Sequence, residues 1–151
     1  MHAIRTLFAG ALLSSASLTL SAAGLEVGDP HVRAVPPGQS NSAAFMSLHN
    51  ASAEDRALIG AESPAAEVVE LHTHVEEDGL MRMRRVEQIP VAAGATTTLA
   101  PGGLHIMLIG LKSELQPGQT VELTLIQDDG ERIAVQAPVR HIEAMHSSMK
   151  H

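Results

Sequence analysis

Turn signals recur along this chain at strand-length intervals, and that punctuation leaves room for little except short strands. Pro36-Pro37-Gly38, Ser63-Pro64, Asp78-Gly79, Pro101-Gly102-Gly103, Pro117-Gly118 and Asp128-Asp129-Gly130 each break an apolar or alternating run. The runs between them predict strands over 29–35, 41–50, 56–62, 68–75, 80–89, 96–99, 104–111, 121–127 and 131–139. Asp-Gly between two alternating runs is a strong hairpin signal, present at Asp78-Gly79 and again at Asp129-Gly130. A 3.6-residue apolar period is almost absent. The expectation is one all-β domain, a Greek-key sandwich or barrel.

The first 23 residues read differently. Arg5 gives a short basic start, an apolar run covers 7–13, and Ser21-Ala22-Ala23 supplies small residues at the end. That layout predicts a cleavable secretory signal peptide over 1–23, too short in its apolar part to span a bilayer. The expected folded domain is 24–139, and 140–151 is expected to be a flexible tail. The net charge is −7 with both signs scattered and no basic patch, which argues against nucleic acid and anionic lipid as partners. Cysteine is absent, so an exported form has neither disulfides nor thiol chemistry.

Within this frame the stretch around residues 72–107 concentrates soft metal donors. Residues i and i+2 of a strand share a face. His72 and His74 therefore point together, as do Met81 and Met83, and His105 and Met107. If 76–79 form a four-residue loop, His74 faces Met81 and His72 faces Met83, near enough for one ion to be held by both. Imidazole and thioether without thiolate suit Cu(I) better than other common metals.

The spacing carries a family resemblance. Ten residues separate His72 from Met83, twenty-one separate Met83 from His105, and one separates His105 from Met107. This resembles the H(M)x10Mx21HxM signature of the PCu(A)C family of periplasmic Cu(I) chaperones. The blocks VELHTHVEEDGLMRMRRV, PGGLHIMLIGL and NSAAFMSLHN are similar to that family's motif regions. The resemblance implies a cupredoxin-like β-sandwich that binds one Cu(I) through His72, Met83, His105 and Met107. It also implies delivery toward the Cu(A) centre of a cytochrome c oxidase subunit, alongside Sco-type thiol proteins. His74 and Met81 lie outside the motif and are candidates for secondary or transfer ligands. One departure is His31, where relatives tend to carry an aromatic residue.

The tail adds His141, Met145, His146, Met149 and His151, a set that in some relatives is taken to bind additional copper, including Cu(II). Three rivals remain in view. A blue-copper electron carrier needs a Cys ligand and is excluded. A zinc protein could use His72, His74 and His105, with Glu76 or Glu77 as a base, but leaves the methionine spacing unexplained. A metal-free exported interaction module, or a sequestering protein without a delivery role, is the blander alternative. No nucleophile elbow or phosphate loop is present to suggest an enzyme.

Overall fold

The strand NSAAFMSLHN is buried along nearly its whole length, because Ser42, Ala43 and Ala44 are small enough to let neighbours close on both faces. It is β2 (Asn41–Asn50) of the computed structural model, which describes residues 24–142. Around it run β1 (Leu25–Arg33), β3 (Arg56–Glu62), β4 (Ala66–Glu77), β5 (Leu80–Arg85), β6 (Ile89–Val91), β7 (Thr96–Leu99), β8 (His105–Leu111), β9 (Thr120–Gln127) and β10 (Arg132–Arg140). The predicted signal peptide and residues 143–151 lie outside the described residues.

Hydrogen bonding links the strands in the order β5-β4-β8-β2-β1-β10-β9-β3-β6, with β7 joining β2. One parallel contact, Val32 to Val139 and Arg33 to Arg140, connects the two halves of this series. A single apolar cluster draws on both, with Leu48, Leu71, Ile106 and Leu108 from one half and Leu58, Val91, Leu123, Leu125 and Val139 from the other. Burying one face of each half against the other is how an all-β chain with two aromatic residues, both Phe, obtains a core. The all-β cupredoxin-like expectation holds.

Three local expectations need correction. The β4–β5 loop is two residues long: Glu77 pairs with Leu80, and Asp78 and Gly79 form the turn at φ of 52° and 77°. Positive φ at both central residues matches the twist of a hairpin, so the strands continue through Glu76 and Glu77. The register therefore places His74 opposite Met83, Glu76 opposite Met81 and His72 opposite Arg85. The shift is even, so every side chain keeps its expected face. Second, the expected strand over 80–89 is divided. β5 ends at Arg85, and Ile89 and Val91 instead bury themselves beside β3 in the other half. Third, β1 begins at Leu25, before the predicted start, and carries an irregularity between Gly28 and His31 with Asp29 at φ 44°.

Candidate metal centre

β4 runs between β5 and β8, so one outward face gathers side chains from all three. On the inward side Leu71, Ile106 and Leu108 enter the core. On the outward side His72 lies directly opposite His105, and His74 directly opposite Met83. Met107 follows one step along, paired with Glu70 on β4 and with Ala43 on β2. His74, Met83, His105 and Met107 line one pocket of about 300 Å³, and Phe45, Arg33, Asn41 and Pro101 share its lining.

The imidazoles are oriented. His105 is only 2 % exposed, and its Nδ1–H donates to the Gly103 carbonyl at 3.0 Å. That bond leaves the Nε2 lone pair free for a metal. His72 is held in the opposite sense: Nε2–H donates to the Glu70 carboxylate at 2.8 Å, and Nδ1 is buried with no partner. His74 Nδ1 is likewise buried and unpaired. Buried polar nitrogens without partners are uncommon, and a bound cation would satisfy two in one cluster. Ring centroids of His72 and His74 lie 5.9 Å and 5.2 Å from that of His105. Burial above all holds the His105 pKa below the ordinary 6.5, the nearby His74, His72 and Arg33 act in the same direction, and the Gly103 carbonyl opposes them. A neutral, lone-pair-bearing His105 is the form a metal needs.

The structure does not bring all the sequence-derived candidates together. Met83, His105 and Met107 share the pocket, and His74, expected only as a secondary ligand, joins them there. His72 stands at the edge, against His105 and tied to Glu70. Met81 lies further out on β5, 59 % exposed. His141 lies by Pro36, Pro37 and Pro117 in a different pocket, while Met145, His146, Met149 and His151 lie outside the described residues. His31 packs its ring 5.8 Å from Phe45 and donates from Nδ1 to the Asp29 carbonyl, so it fills an aromatic position beside the pocket wall. Glu70 was missed, although its place two residues before His72 puts it on the same strand face. Arg33 was also missed, and nothing in its local sequence points to it. Among the described residues no group of three His, Asp or Glu side chains is placed to hold a metal ion, and the pocket lining combines imidazole nitrogen with thioether sulfur.

The profile of LpqE-like lipoproteins matches residues 25–139. The chain is 35% identical over 128 residues to Lxx21020 of Leifsonia xyli subsp. xyli, a protein named as a lipoprotein, covering 84% of this chain and 76% of that one. The solution structure of Cu(I)-bound DR1885 from Deinococcus radiodurans is 37% identical, with a TM-score of 0.60, covering 83% of this chain and 85% of that one. Its apo form is 33% identical, with a TM-score of 0.63, and the match covers 94% and 97% of the two chains. The copper-bound PCuAC domain of PmoF2 shares the fold at a TM-score of 0.67 and 23% identity, over 78% of this chain and 93% of that one.

Proposed function

The chain belongs to the LpqE-like, PCuAC-related family, and from that premise we propose that it is an exported copper chaperone that holds Cu(I) and releases it by ligand exchange. One observation carries this reading. Two thioethers and two imidazoles line one half-open pocket of a chain that has no cysteine. Neutral soft donors match Cu(I), and they leave its charge uncompensated, so an acceptor's thiolate gains on binding what the methionines cannot supply. With Met83 45 % exposed, a ligand exchange can begin at that sulfur without opening the fold.

The proposed ligands are Met83, His105 and Met107 with an imidazole from β4. His72 occupies the family position and His74 the pocket position. The role is carriage and not catalysis. The proposed site of action is the periplasm, the proposed acceptors are the Cu(A)-bearing oxidase subunit and Sco-type thiol proteins, and the tail histidines and methionines are proposed to take additional Cu(II). The lipoprotein names among the relatives support export.

The deciding experiment is an anaerobic Cu(I) titration against a chromogenic chelator, on the native chain and on the Met83→Ala, Met107→Ala double variant. One tight equivalent, lost in the variant, is expected. Equal binding by both would move the metal to histidines alone and favour sequestration. Incubating the loaded chain with the Cu(A)-bearing domain then tests delivery, with appearance of the Cu(A) spectrum expected.

A further inference from the structure

Six of the seven arginines in the described residues have a carboxylate within 4.0 Å: Arg56, Arg82, Arg84, Arg85, Arg132 and Arg140. The seventh is Arg33, and it lines the donor pocket. In a chain of net charge −7, carboxylates are plentiful, yet none in the described residues is placed against this guanidinium. Its Cζ lies 5.4 Å from the ring centroid of Phe45, another residue of the pocket lining.

A fixed cation beside a cation site is costly unless an anion accompanies the metal. Cu(I) on neutral donors adds a positive charge to that of Arg33. Glu70, a carboxylate on the same strand face, is already hydrogen-bonded to His72 and lies 4.0 Å from Arg85. The pocket, at about 300 Å³, is also far larger than one ion requires and reaches the lower size range of small-molecule sites. On its polar side Asn41 spends its carbonyl oxygen on the Gly110 amide, which leaves its NH₂ as a donor beside Arg33.

We propose that this pocket receives a small anionic thiol together with the copper, its carboxylate pairing with Arg33 while its thiolate binds the metal. This rests on the Cu(I)-carrier reading and specifies the charge of the exchanging ligand. In the exchange one copper–thioether bond breaks, one copper–thiolate bond forms, the thiol proton leaves to solvent, and copper stays Cu(I). Arg33 is thus a specificity residue for the ligand that brings or removes the metal.

The test compares three thiols of similar size, 3-mercaptopropionate, 2-mercaptoethanol and cysteamine, as competitors for Cu(I) on the full chain loaded with one equivalent. Exchange rates are compared at equal thiolate concentration and low salt. The anionic thiol is expected to exchange about tenfold faster than the neutral one and the cationic thiol slowest, with the spread shrinking as salt rises. Arg33→Gln is expected to erase the order and to raise Cu(I) affinity a few-fold by removing the opposing charge. Arg33→Lys is expected to keep the order. Equal rates for the three thiols with the native chain, or an order that survives in Arg33→Gln, would overturn the inference while leaving the carrier intact. Failure of the native chain to bind Cu(I) at all would overturn the carrier reading and this inference together.

Discussion

At Glu70 a carboxylate accepts from His72 Nε2–H at 2.8 Å, so the lone pair of that imidazole sits on the buried, unpartnered Nδ1. A carboxylate behind a metal-binding histidine fixes its tautomer and raises its basicity, and losing it typically costs 10- to 100-fold in metal affinity. Glu70→Gln is therefore expected to weaken Cu(I) by about that factor while the fold persists. Chelator competition measures the affinity, and imidazole ¹⁵N shifts of His72 report the tautomer. A variant that binds Cu(I) normally would leave His74 as the β4 donor and reduce His72 to a structural neighbour. His105 offers a second expectation. Its folded pKa lies below 6.5, so between the two values the unfolded chain binds a proton that the folded chain does not. Stability is thus full above about pH 6.5 and falls as acid carries the protein through the folded pKa. Urea midpoints of the metal-free protein should drop between about pH 7.5 and pH 5, and His105→Gln should flatten that dependence. An equal drop in the variant would assign it to other groups.

Among the elements, the β4–β5 hairpin sets through its turn which donor side chains face each other. Gly79 sits at φ 77°, and no atom would meet an added Cβ there, so substitution acts through the backbone conformation alone. Gly79→Ala is expected to cost about 1 kcal/mol, read as a lowered urea midpoint with an unchanged slope. Inserting one residue after Asp78 is a harsher test, because an odd register shift turns Met83 away from His74. That insertion should cost more Cu(I) affinity than stability. The same hairpin shows where sequence reading stopped. Alternation placed His72, His74, Met83, His105 and Met107 on their correct faces, since the two-residue period survives any even slip. It could not choose between a four-residue and a two-residue loop, because Glu76 and Glu77 suit either, and only the paired positive φ values at Asp78 and Gly79 decide it. The division of 80–89 was equally hidden. Ile89 and Val91 continue an apolar alternation, and their departure to β3 depends on a tertiary partner that no local pattern encodes. Arg33 comes to the pocket from β1 across β2, a neighbourhood set by topology, whereas Glu70 was within reach of the same alternation argument and needed only to be asked for.

For the molecule as a whole, two features set how copper and stability are linked. Asn50 anchors one end: its fully buried amide donates to the Glu54 and Val91 carbonyls at 2.7 Å and 2.9 Å, and its oxygen accepts from the Ser52 amide. These bonds tie β2 to β6, and therefore one half of the strand series to the other, at a place that contributes nothing to the donor pocket. Asn50→Ala should cost about 1–3 kcal/mol by removing the amide donor of the buried Val91 carbonyl, yet leave Cu(I) affinity unchanged in the fraction that is folded.

The donor pocket takes one wall from an edge strand. β5 is an edge strand with all six residues exposed, and among the described residues β4 alone hydrogen-bonds to it. A metal bridging Met83 to His105 and Met107 would cross-link β5 to β8 over β4, stabilising the weakest strand through the one ion. Binding to the folded state alone adds RT ln(1 + [L]/Kd), about 2.7 kcal/mol at a free-metal concentration of 100 Kd. Cu(I) is thus expected to raise the melting temperature and to slow amide exchange selectively in β4 and β5, while β3, β9 and β10 change only by the global increment. Hydrogen-exchange spectra of the metal-free and Cu(I)-loaded chains, recorded anaerobically, measure both. Uniform slowing across the strands would mean that β5 already opens only with the whole fold. Slowing confined to the C-terminal residues would mean that the ion prefers the tail to the pocket.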